Sequence, residues 1–444
     1  MRNKEDTIAA VATAPGYGAV SIIRIAGPQS WEIAKKICHV EPIDRKAIFC
    51  DFNDASNLVI DQGLLLAFKG PNSFTGDDVI ELQGHGGSIA PKVLLDETLR
   101  LGARIADPGE FTLRAYLNSK IDLAQAEAVA DLVASESEHA ARASIRSLKG
   151  DFSLIANHIS RELLNLRVLI EAWLDFPDED IPHEDQKKIQ EGFDLIENKL
   201  SNIIKVAWAG EKIKQNKKIA LVGAPNVGKS SLMNWLTKKD VSIVSEIPGT
   251  TRDVVEKDVV IDGMIITAVD TAGIRETSNV IENEGIARAQ DVIEQSDLVV
   301  WVRDAQEEKD ETLIQTKAHQ KVITVFNKSD LINQTNHRST HNAQAYLVSA
   351  KTKLGLEELR AEIVRTLSLS NSETTVGARA RHAKSAEKTK DLLLKAKLLF
   401  LEQQTLELVA EELRAAHQYF GEITGEVSSD DLLGEIFSSF CIGK

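Results

Sequence analysis

Cysteine is scarce in this chain. Cys38, Cys50 and Cys441 are too few and too far apart for a disulfide framework or a metal-binding knot, and they fit a reducing compartment. Long apolar runs are missing too, since no stretch reaches the roughly 20 residues that span a bilayer. The opening MRNKEDTIAAVATAPG lacks the apolar segment of a secretory signal. Basic residues are in deficit, with 52 Lys and Arg against 67 Asp and Glu and a net charge of −15. That balance argues against nucleic-acid binding by counterion release over the whole surface, and leaves a local basic patch or a basic partner protein. These absences together predict a soluble cytoplasmic protein.

Apolar residues make up 43% of the 444, enough for packed interiors in a chain too long for one core, so two to four domains are expected. Residues 1 to about 118 read as mixed α/β. AVSIIRIAG (19–27), LLLAFKGPNSF (64–74) and DDVIELQGHGG (77–87) carry strand patterns closed by turn residues, and SIAPKVLLDETLRLGAR (88–104) has helical spacing. After Asp107-Pro108-Gly109 the texture changes. Residues 119–214 are rich in Ala, Leu, Glu and Arg, and Leu148, Phe152, Ile155, Ile159, Leu163 and Leu166 recur at three- and four-residue steps. Residues 215–372 alternate strands and helices: KKIALVG, DVVIDGMIITAVD, LVVWVRD, KVITVFNK and AYLVSA read as strands of a sheet covered on both faces. SLSNSETTVGA (368–378) is a polar linker, and helices return over 373–444, most clearly in KTKDLLLKAKLLFLEQQTLELVAEELRAAHQYF. Helical texture brackets the α/β segment. The arrangement expected is one helical domain into which an α/β domain is inserted, because inserted domains have neighbouring termini.

Within the inserted segment, IALVGAPNVGKSS holds Gly223-x4-Gly228-Lys229-Ser230 between a strand and a helix, the context of a phosphate loop. Its backbone N–H groups curl around phosphates, Lys229 supplies a point charge, and the Ser230 hydroxyl suits Mg²⁺. Val227 and Ser231 belong to the same loop and helix start. PGTTRD (248–253) offers Thr251 as a second Mg²⁺ ligand. VDTAG (269–273) follows, with Asp270 as a carboxylate acting on Mg²⁺ through water and the Gly273 N–H as a γ-phosphate sensor. NKSD (327–330) ends a strand. Asp330 accepts from both N1–H and the 2-amino group of guanine, a donor pair that adenine lacks, so adenine would leave that carboxylate unpaired. Asn327 can hold the base's Hoogsteen edge and tie loops together, Lys328 lies between them, and SAK (Ser349, Ala350, Lys351) can read guanine O6 through the Ala350 backbone. Four ordered motifs on four strand ends predict a GTP site. The residue after Asp-x-x-Gly, often a glutamine that orients water, is Ile274, which cannot do so. Arg252, Arg275, Glu276, Glu282 and Glu284 are the nearby candidates to replace it.

PNVGKSSLMN, PGTTRD, DTAGIR and the terminal FCIGK, with NSFTGDDVIELQGHGG, GEFTLRAYLNSKIDLAQAEAVADL and DTIAAVATAPG, resemble the MnmE (TrmE) family of tRNA-modification GTPases over essentially the whole chain. The early PGYGAVS departs slightly, with Tyr17 and Ala19 in a glycine-rich stretch. The resemblance implies a multidomain α/β and all-α protein: an N-terminal α/β folate-binding and dimerising domain, and a helical domain with an inserted Ras-like G domain. It implies a homodimer that works with a FAD- and NADH-using flavoprotein, MnmG (GidA), in a heterotetramer. Together they would place an aminomethyl-type group on C5 of the wobble uridine of certain tRNAs, with carbon from a methylene- or formyl-tetrahydrofolate. By the same resemblance Asn226, the backbones of Ser245 and Ile247, and Thr250 hold a K⁺ beside the phosphates. Glu282 takes over water orientation, with Arg252 and Arg275 as helpers, and Cys441 acts in the modification step. Arg24, Glu81, Lys120 and Lys444 match the folate positions. The G motifs by themselves are equally compatible with a ribosome-assembly-type GTPase switch, and the first 120 residues are what separates the two readings. A stand-alone one-carbon transferase with a regulatory G domain is the third.

Overall fold

The computed structural model describes residues 6–174, 182–214, 217–224, 226–238, 255–261, 264–270, 292–306, 321–332, 345–367, 376–402, 405–426, 430–441 and 443. They divide into two compact units. One consists of Met1–Ala134, Ser144–Trp208 and Val376–Lys444, the other of Ser135–Ala143 and Ala209–Thr375.

The first unit opens with β1 (Ile8–Val11), β2 (Val20–Ala26), α1 (Ser30–Cys38), β3 (Ile48–Asn53), β4 (Val59–Phe68), β5 (Val79–His85), α2 (Ala90–Arg100) and β6 (Arg104–Ile105). The six strands form one sheet in the order β3-β4-β5-β2-β1-β6, antiparallel except for the β1–β6 pair. Alternation decides its faces. Ile23, Ile25, Leu65, Ile80 and Leu82 point to one side and pack with Ile33, Ile37 and Leu94 of the two helices. Residues between them, Arg24, Glu81 and Gln83, point to the other. Sequence patterning finds β2, β4, β5 and α2. It does not find β1 or β3, because IAAV and IFCDFN are too short for a period to emerge.

Helices follow: α3 (Glu110–Leu117), α4 (Leu123–Val133), α5 (Glu138–Leu148), α6 (Asp151–Leu174) and α7 (His183–Lys214). A capping box starts α4: the Asp122 carboxylate accepts the Gln125 amide, and the Gln125 side chain accepts the Asp122 amide. The apolar stripe predicted from Leu148 to Leu166 crosses a break, since α5 ends at Leu148 and Gly150 takes φ 95° before α6 begins. Only glycine adopts that angle without cost, so the stripe belongs to two helices.

The second unit holds β7 (Lys217–Val222), α8 (Lys229–Lys238), β8 (Val255–Ile261), β9 (Met264–Asp270), β10 (Leu298–Asp304), β11 (Lys321–Asn327), β12 (Ala345–Leu347) and α9 (Leu356–Leu367). Its sheet runs β12-β11-β10-β7-β9-β8 and is parallel except for β8 against β9. DVVIDGMIITAVD, expected as a single strand, is therefore a hairpin in which Ile261 pairs with Met264. The Asp-Gly between them is the cue that patterning overlooks.

The chain then returns to the first unit as α10 (Ala380–Leu401), α11 (Leu406–Gly421) and α12 (Asp430–Ser438). The long helical segment read from the sequence is two helices, because Thr405 takes extended angles and begins α11 afresh. One core joins the two halves of this helical region: Phe152, Ile159, Leu163, Leu200 and Ile203 pack with Leu393, Val409, Leu413 and Phe420. Among the described residues no helix is long and apolar enough to cross a membrane.

An ionic cluster fixes the junction. Glu127 on α4 is 1% exposed. Its carboxylate accepts from Arg381 Nε and Nη2 at 2.7 Å each and from Arg379 Nη1 at 3.3 Å, and it lies 2.7 Å from His382 Nε2. Burial pushes the Glu127 carboxyl up, but the His382 ring and the Arg381 guanidinium outweigh it and hold the group far below the usual carboxylate range. A depressed carboxyl stabilises the fold above its unfolded value of about 4.3, and that contribution fades as pH falls toward the folded value. Glu127→Ala takes the carboxylate from the Arg381 guanidinium and from the buried His382 ring, at an expected cost of about 3–5 kcal/mol. Hydrogen exchange at the amides of α10 should accelerate accordingly, and Glu127→Gln should flatten the acid limb of stability. Unchanged protection in α10 would show that the cluster is not what holds this junction.

Candidate functional site

The phosphate loop leaves β7 and enters α8, so its amides converge at a helix N-terminus. Gly223 and Gly228 are required sterically. A Cβ on Gly223 would stand 2.0 Å from the Val302 carbonyl oxygen, and one on Gly228, at φ 100°, would stand 2.2 Å from Asn327 Nδ2. Asn226 adopts the left-handed conformation at φ 61° and is exposed. Lys229 is 4% exposed, and its ammonium donates to the Gly223 and Ala224 carbonyls at 2.9 Å each, which holds the loop in its curl. Ser230 and Ser231 are exposed on the first turn of α8. Asp270 ends β9, in register with Leu221 of β7.

The base-recognition side is tied to this loop. Asn327, 2% exposed, donates through Nδ2 to the Val227 carbonyl at 2.8 Å, and its Oδ1 accepts the Ala350 amide at 3.0 Å. One amide side chain thus links the ends of β7, β11 and β12. The Ala350 N–H assigned to guanine O6 donates to Asn327 in this structure. Ser349, fully buried, donates through Oγ to Asp330 Oδ1 at 2.6 Å and fixes that carboxylate. Lys328, left-handed at φ 65°, places Nζ 2.7 Å from Asp304 Oδ2 at the end of β10. Burial raises the Asp304 carboxyl, yet the Lys328 ammonium and the Gln306 amide bring it net below its ordinary value. Lys351 is exposed beside them. Ser245, Ile247, Thr250, Thr251, Arg252, Gly273, Arg275 and Glu282, with Ile274, Glu276 and Glu284, lie outside the described residues.

A second cluster forms on the N-terminal sheet. Arg24 and Glu81 face each other in the β2–β5 register, with Arg24 Nε and Nη2 donating to Glu81 Oε1 at 3.0 and 2.8 Å. Gln83 Nε2 reaches the other oxygen at 3.3 Å. The pair borders a cleft of about 120 Å³ walled by Phe68, Phe74, Thr75 and Val79. Phe111 lies under the guanidinium, 5.7 Å from its carbon. Arg24 Nη1 donates to the Gly443 carbonyl at 3.3 Å, so residues at opposite ends of the sequence meet here. Gly443 takes φ 93°, and a Cβ there would stand 2.5 Å from the Val11 carbonyl oxygen. Lys120 donates to the Pro71 carbonyl at 2.8 Å, on the loop that supplies Phe74. Cys441 is exposed and its carbonyl accepts the Gly109 amide at 3.4 Å, whereas Cys38 and Cys50 are buried. Lys444 lies outside the described residues. Sequence reasoning missed Gln83 and the Gly443 backbone. Gln83 could have been found by its two-residue step from Glu81; a backbone carbonyl leaves no signal in a sequence.

A phosphate loop on a largely parallel sheet, with a guanine-selective Asn-Lys-Ser-Asp segment two strands away, defines a GTP-hydrolysing protein of the phosphate-loop class. Two family models match the chain: the MnmE helical domain over residues 123–441, and the GTP-binding protein TrmE N-terminus over residues 7–120. The tRNA modification GTPase MnmE of Nitrosomonas eutropha is 45% identical, covering 100% of both chains. That of Dechloromonas aromatica is 45% identical over 99% of this chain and 100% of its own. Among solved structures, the G domain of the T. maritima FeoB iron transporter is 28% identical over 35% of this chain and 100% of that one, at a TM-score of 0.25, an overlap too partial to bear on the fold as a whole. The chain belongs to the MnmE family of tRNA modification GTPases.

Asn327→Ala removes two hydrogen bonds and leaves a buried carbonyl and amide unsatisfied, at about 1–3 kcal/mol. Titration with fluorescent GDP should show affinity weakened roughly 10- to 100-fold. Wild-type affinity in this variant would mean the loops hold their places without that bridge.

Proposed function

We propose that the chain hydrolyses GTP in order to time a one-carbon modification of tRNA, performed at the Arg24–Glu81 cleft together with a flavoprotein of the MnmG type. The observation that carries this reading is that Arg24, Glu81 and the Gly443 backbone, 419 residues from Arg24, meet at one cleft. The donor set suits a folate: the Glu81 carboxylate, held by Arg24, suits the amino-pyrimidine edge of a pterin, and the basic Lys120 and Lys444 suit its carboxylates. At about 120 Å³ the cleft takes that edge and leaves the rest of the ligand along the sheet. When bound, the folate supplies the carbon; Arg24 and Glu81 orient it. Cys441, exposed on the same tail, is the thiol assigned to the modification step in this reading.

In the G domain, Ser230 and Thr251 hold Mg²⁺, with Asp270 acting through water. Asn226, the backbones of Ser245 and Ile247, and Thr250 hold K⁺. Hydroxyl, amide and carbonyl oxygens are the hard donors these cations take. Both cations supply positive charge to the phosphates. Lys229 binds the phosphates, and Glu282 orients water in place of a glutamine, helped by Arg252 and Arg275. In this reading residues 1–118 are the folate and dimer domain, 119–214 and 373–444 the helical domain, and 215–372 the G domain. The protein acts as a cytoplasmic homodimer in a heterotetramer with the flavoprotein, on the wobble uridine of its tRNAs. A net charge of −15 favours the partner as the source of most of the tRNA-binding surface.

GTP turnover compared in K⁺ and Na⁺ at equal ionic strength should be at least roughly 10-fold faster in K⁺. Glu282→Ala should slow it by about 10²-fold with GDP affinity unchanged. Equal rates in the two salts would dismiss the potassium site. Nucleoside mass spectrometry of tRNA from cells lacking the chain should reveal unmodified wobble uridine; intact modification there would favour the ribosome-assembly switch instead.

A further inference from the structure

The aspartate that ends β10 belongs to none of the motifs that mark the nucleotide site, yet it holds one of their residues. Asp304 is 8% exposed. Its Oδ2 lies 2.7 Å from Lys328 Nζ, and its Oδ1 accepts the Gln306 amide at 3.0 Å. Both carboxylate oxygens are therefore engaged. Two more bonds join the same stretches of chain. The Ala305 amide donates to the Asn327 carbonyl at 2.8 Å, and Gln306 Nε2 reaches the Leu331 carbonyl at 3.4 Å. Asp304 and Asn327 are also register partners in the β10–β11 pair, so the carboxylate stands at the strand end that leads into Lys328 and Asp330.

The backbone at Lys328 does not favour a lysine. At φ 65° it is left-handed, a conformation that a residue with a Cβ rarely adopts and glycine adopts freely. It leads into a single 3₁₀ turn, Ser329–Leu331, and the Leu331 amide donates to the Lys328 carbonyl at 3.0 Å. What lysine adds at this strained position is its side chain. With the ammonium bound at one end, the part left to offer a ligand is the run of methylenes behind it. The side chain is 34% exposed, against 10% for that of Asp304. A guanine whose edge meets Asp330 still presents two apolar faces to water. A stem laid against one face covers it, and a stem fixed beforehand does so without losing rotamer freedom on binding. Burial raises the Asp304 carboxyl, and the Lys328 ammonium and Gln306 amide more than offset it, so the group stays ionised and able to hold a cation.

We propose that Asp304 is a positioning residue for guanine: by binding the Lys328 ammonium it lays the lysine stem against one face of the base whose edge Asp330 reads. The proposal rests on the guanine reading of Asp330. Asp304 acts through Lys328 and not on the nucleotide itself, so its effect depends on what stands at position 328.

The test titrates fluorescent GDP into variants of the full chain. Asp304→Asn keeps the size of the side chain and an oxygen for the Gln306 amide, but it turns an NH₂ group toward the ammonium and releases the stem. GDP affinity should fall about 10-fold, and the KM for GTP should rise by a similar factor while kcat changes less than about two-fold. Lys328→Met keeps an unbranched apolar stem that carries no charge and needs no anchor. In that background Asp304→Asn should cost less than about two-fold, the coupling expected of two residues that act as one. Inosine diphosphate lacks the 2-amino group, and it should lose affinity in Asp304→Asn by the same factor as GDP, because a stem covers the plane of a base and not its edge. Wild-type GDP affinity in Asp304→Asn overturns the proposal. So do losses that multiply in the double variant, and so does a loss of binding in both backgrounds, the mark of an unfolded loop. A loss confined to GDP overturns the role given to the stem. If the wild-type chain binds ADP as tightly as GDP, the guanine reading fails, and the double-variant comparison still decides whether Asp304 works through Lys328.

Discussion

A single buried carboxylate carries the architecture of the helical region. Glu127 lies on a helix made early in the chain, and the groups that satisfy it, the Arg379 and Arg381 guanidiniums and the His382 ring, follow the inserted α/β unit. Without them the carboxylate would be an unpaired charge in a low-dielectric interior, which no protein sustains. The cluster therefore dictates where the chain re-enters after the insertion. From that point the register of α10 against α6 and α11 follows, and with it the core built on Phe152, Leu163 and Leu413. Packing on the other side of α4 extends the chain of dependence: Leu123 and Ala126 meet Leu433, Phe437 and Phe440, which lead into the tail that lays Gly443 on Arg24.

The guanine site shows the same economy on a smaller scale. Asn327 reaches two loops and Ser349 holds the Asp330 carboxylate proposed to recognise the base, so these groups are in place through contacts among themselves. Pre-organisation of this kind means nucleotide binding orders fewer side chains, and less of the interaction free energy is lost to entropy.

Legibility in the sequence follows the range of the interactions. The phosphate loop and Asn-Lys-Ser-Asp are contiguous, each at a strand end, and can be read directly. The strands β2, β4 and β5 announce themselves by alternation, whereas β1 and β3 are too short to do so. The Leu148–Leu166 stripe looked continuous because a helical period can persist across a glycine break by accident. What could not be read is tertiary. Asp304 and Lys328 are 24 residues apart, Glu127 and His382 are 255 apart, and Gly443 contributes only a carbonyl. The role proposed for Arg24 and Glu81 is accessible through resemblance alone, since charged residues in strands have no distinguishing pattern.

The divided helical core has a consequence in time. Its first half, Phe152 to Ala207, leaves the ribosome well before Val376 and the helices that complete it. At about 5–20 residues per second, the 252 residues from Glu127 to Arg379 take roughly ten to fifty seconds to synthesise. Throughout that interval the charge of Glu127 and the side of α6 that meets the later helices lack their partners, while the α/β unit between them is complete once its last helix, Leu356–Leu367, is made, ahead of every helix that closes the scaffold. Biosynthesis thus runs from the inside of the sequence outward: the nucleotide-binding unit matures first, and the scaffold that surrounds it in the sequence closes last.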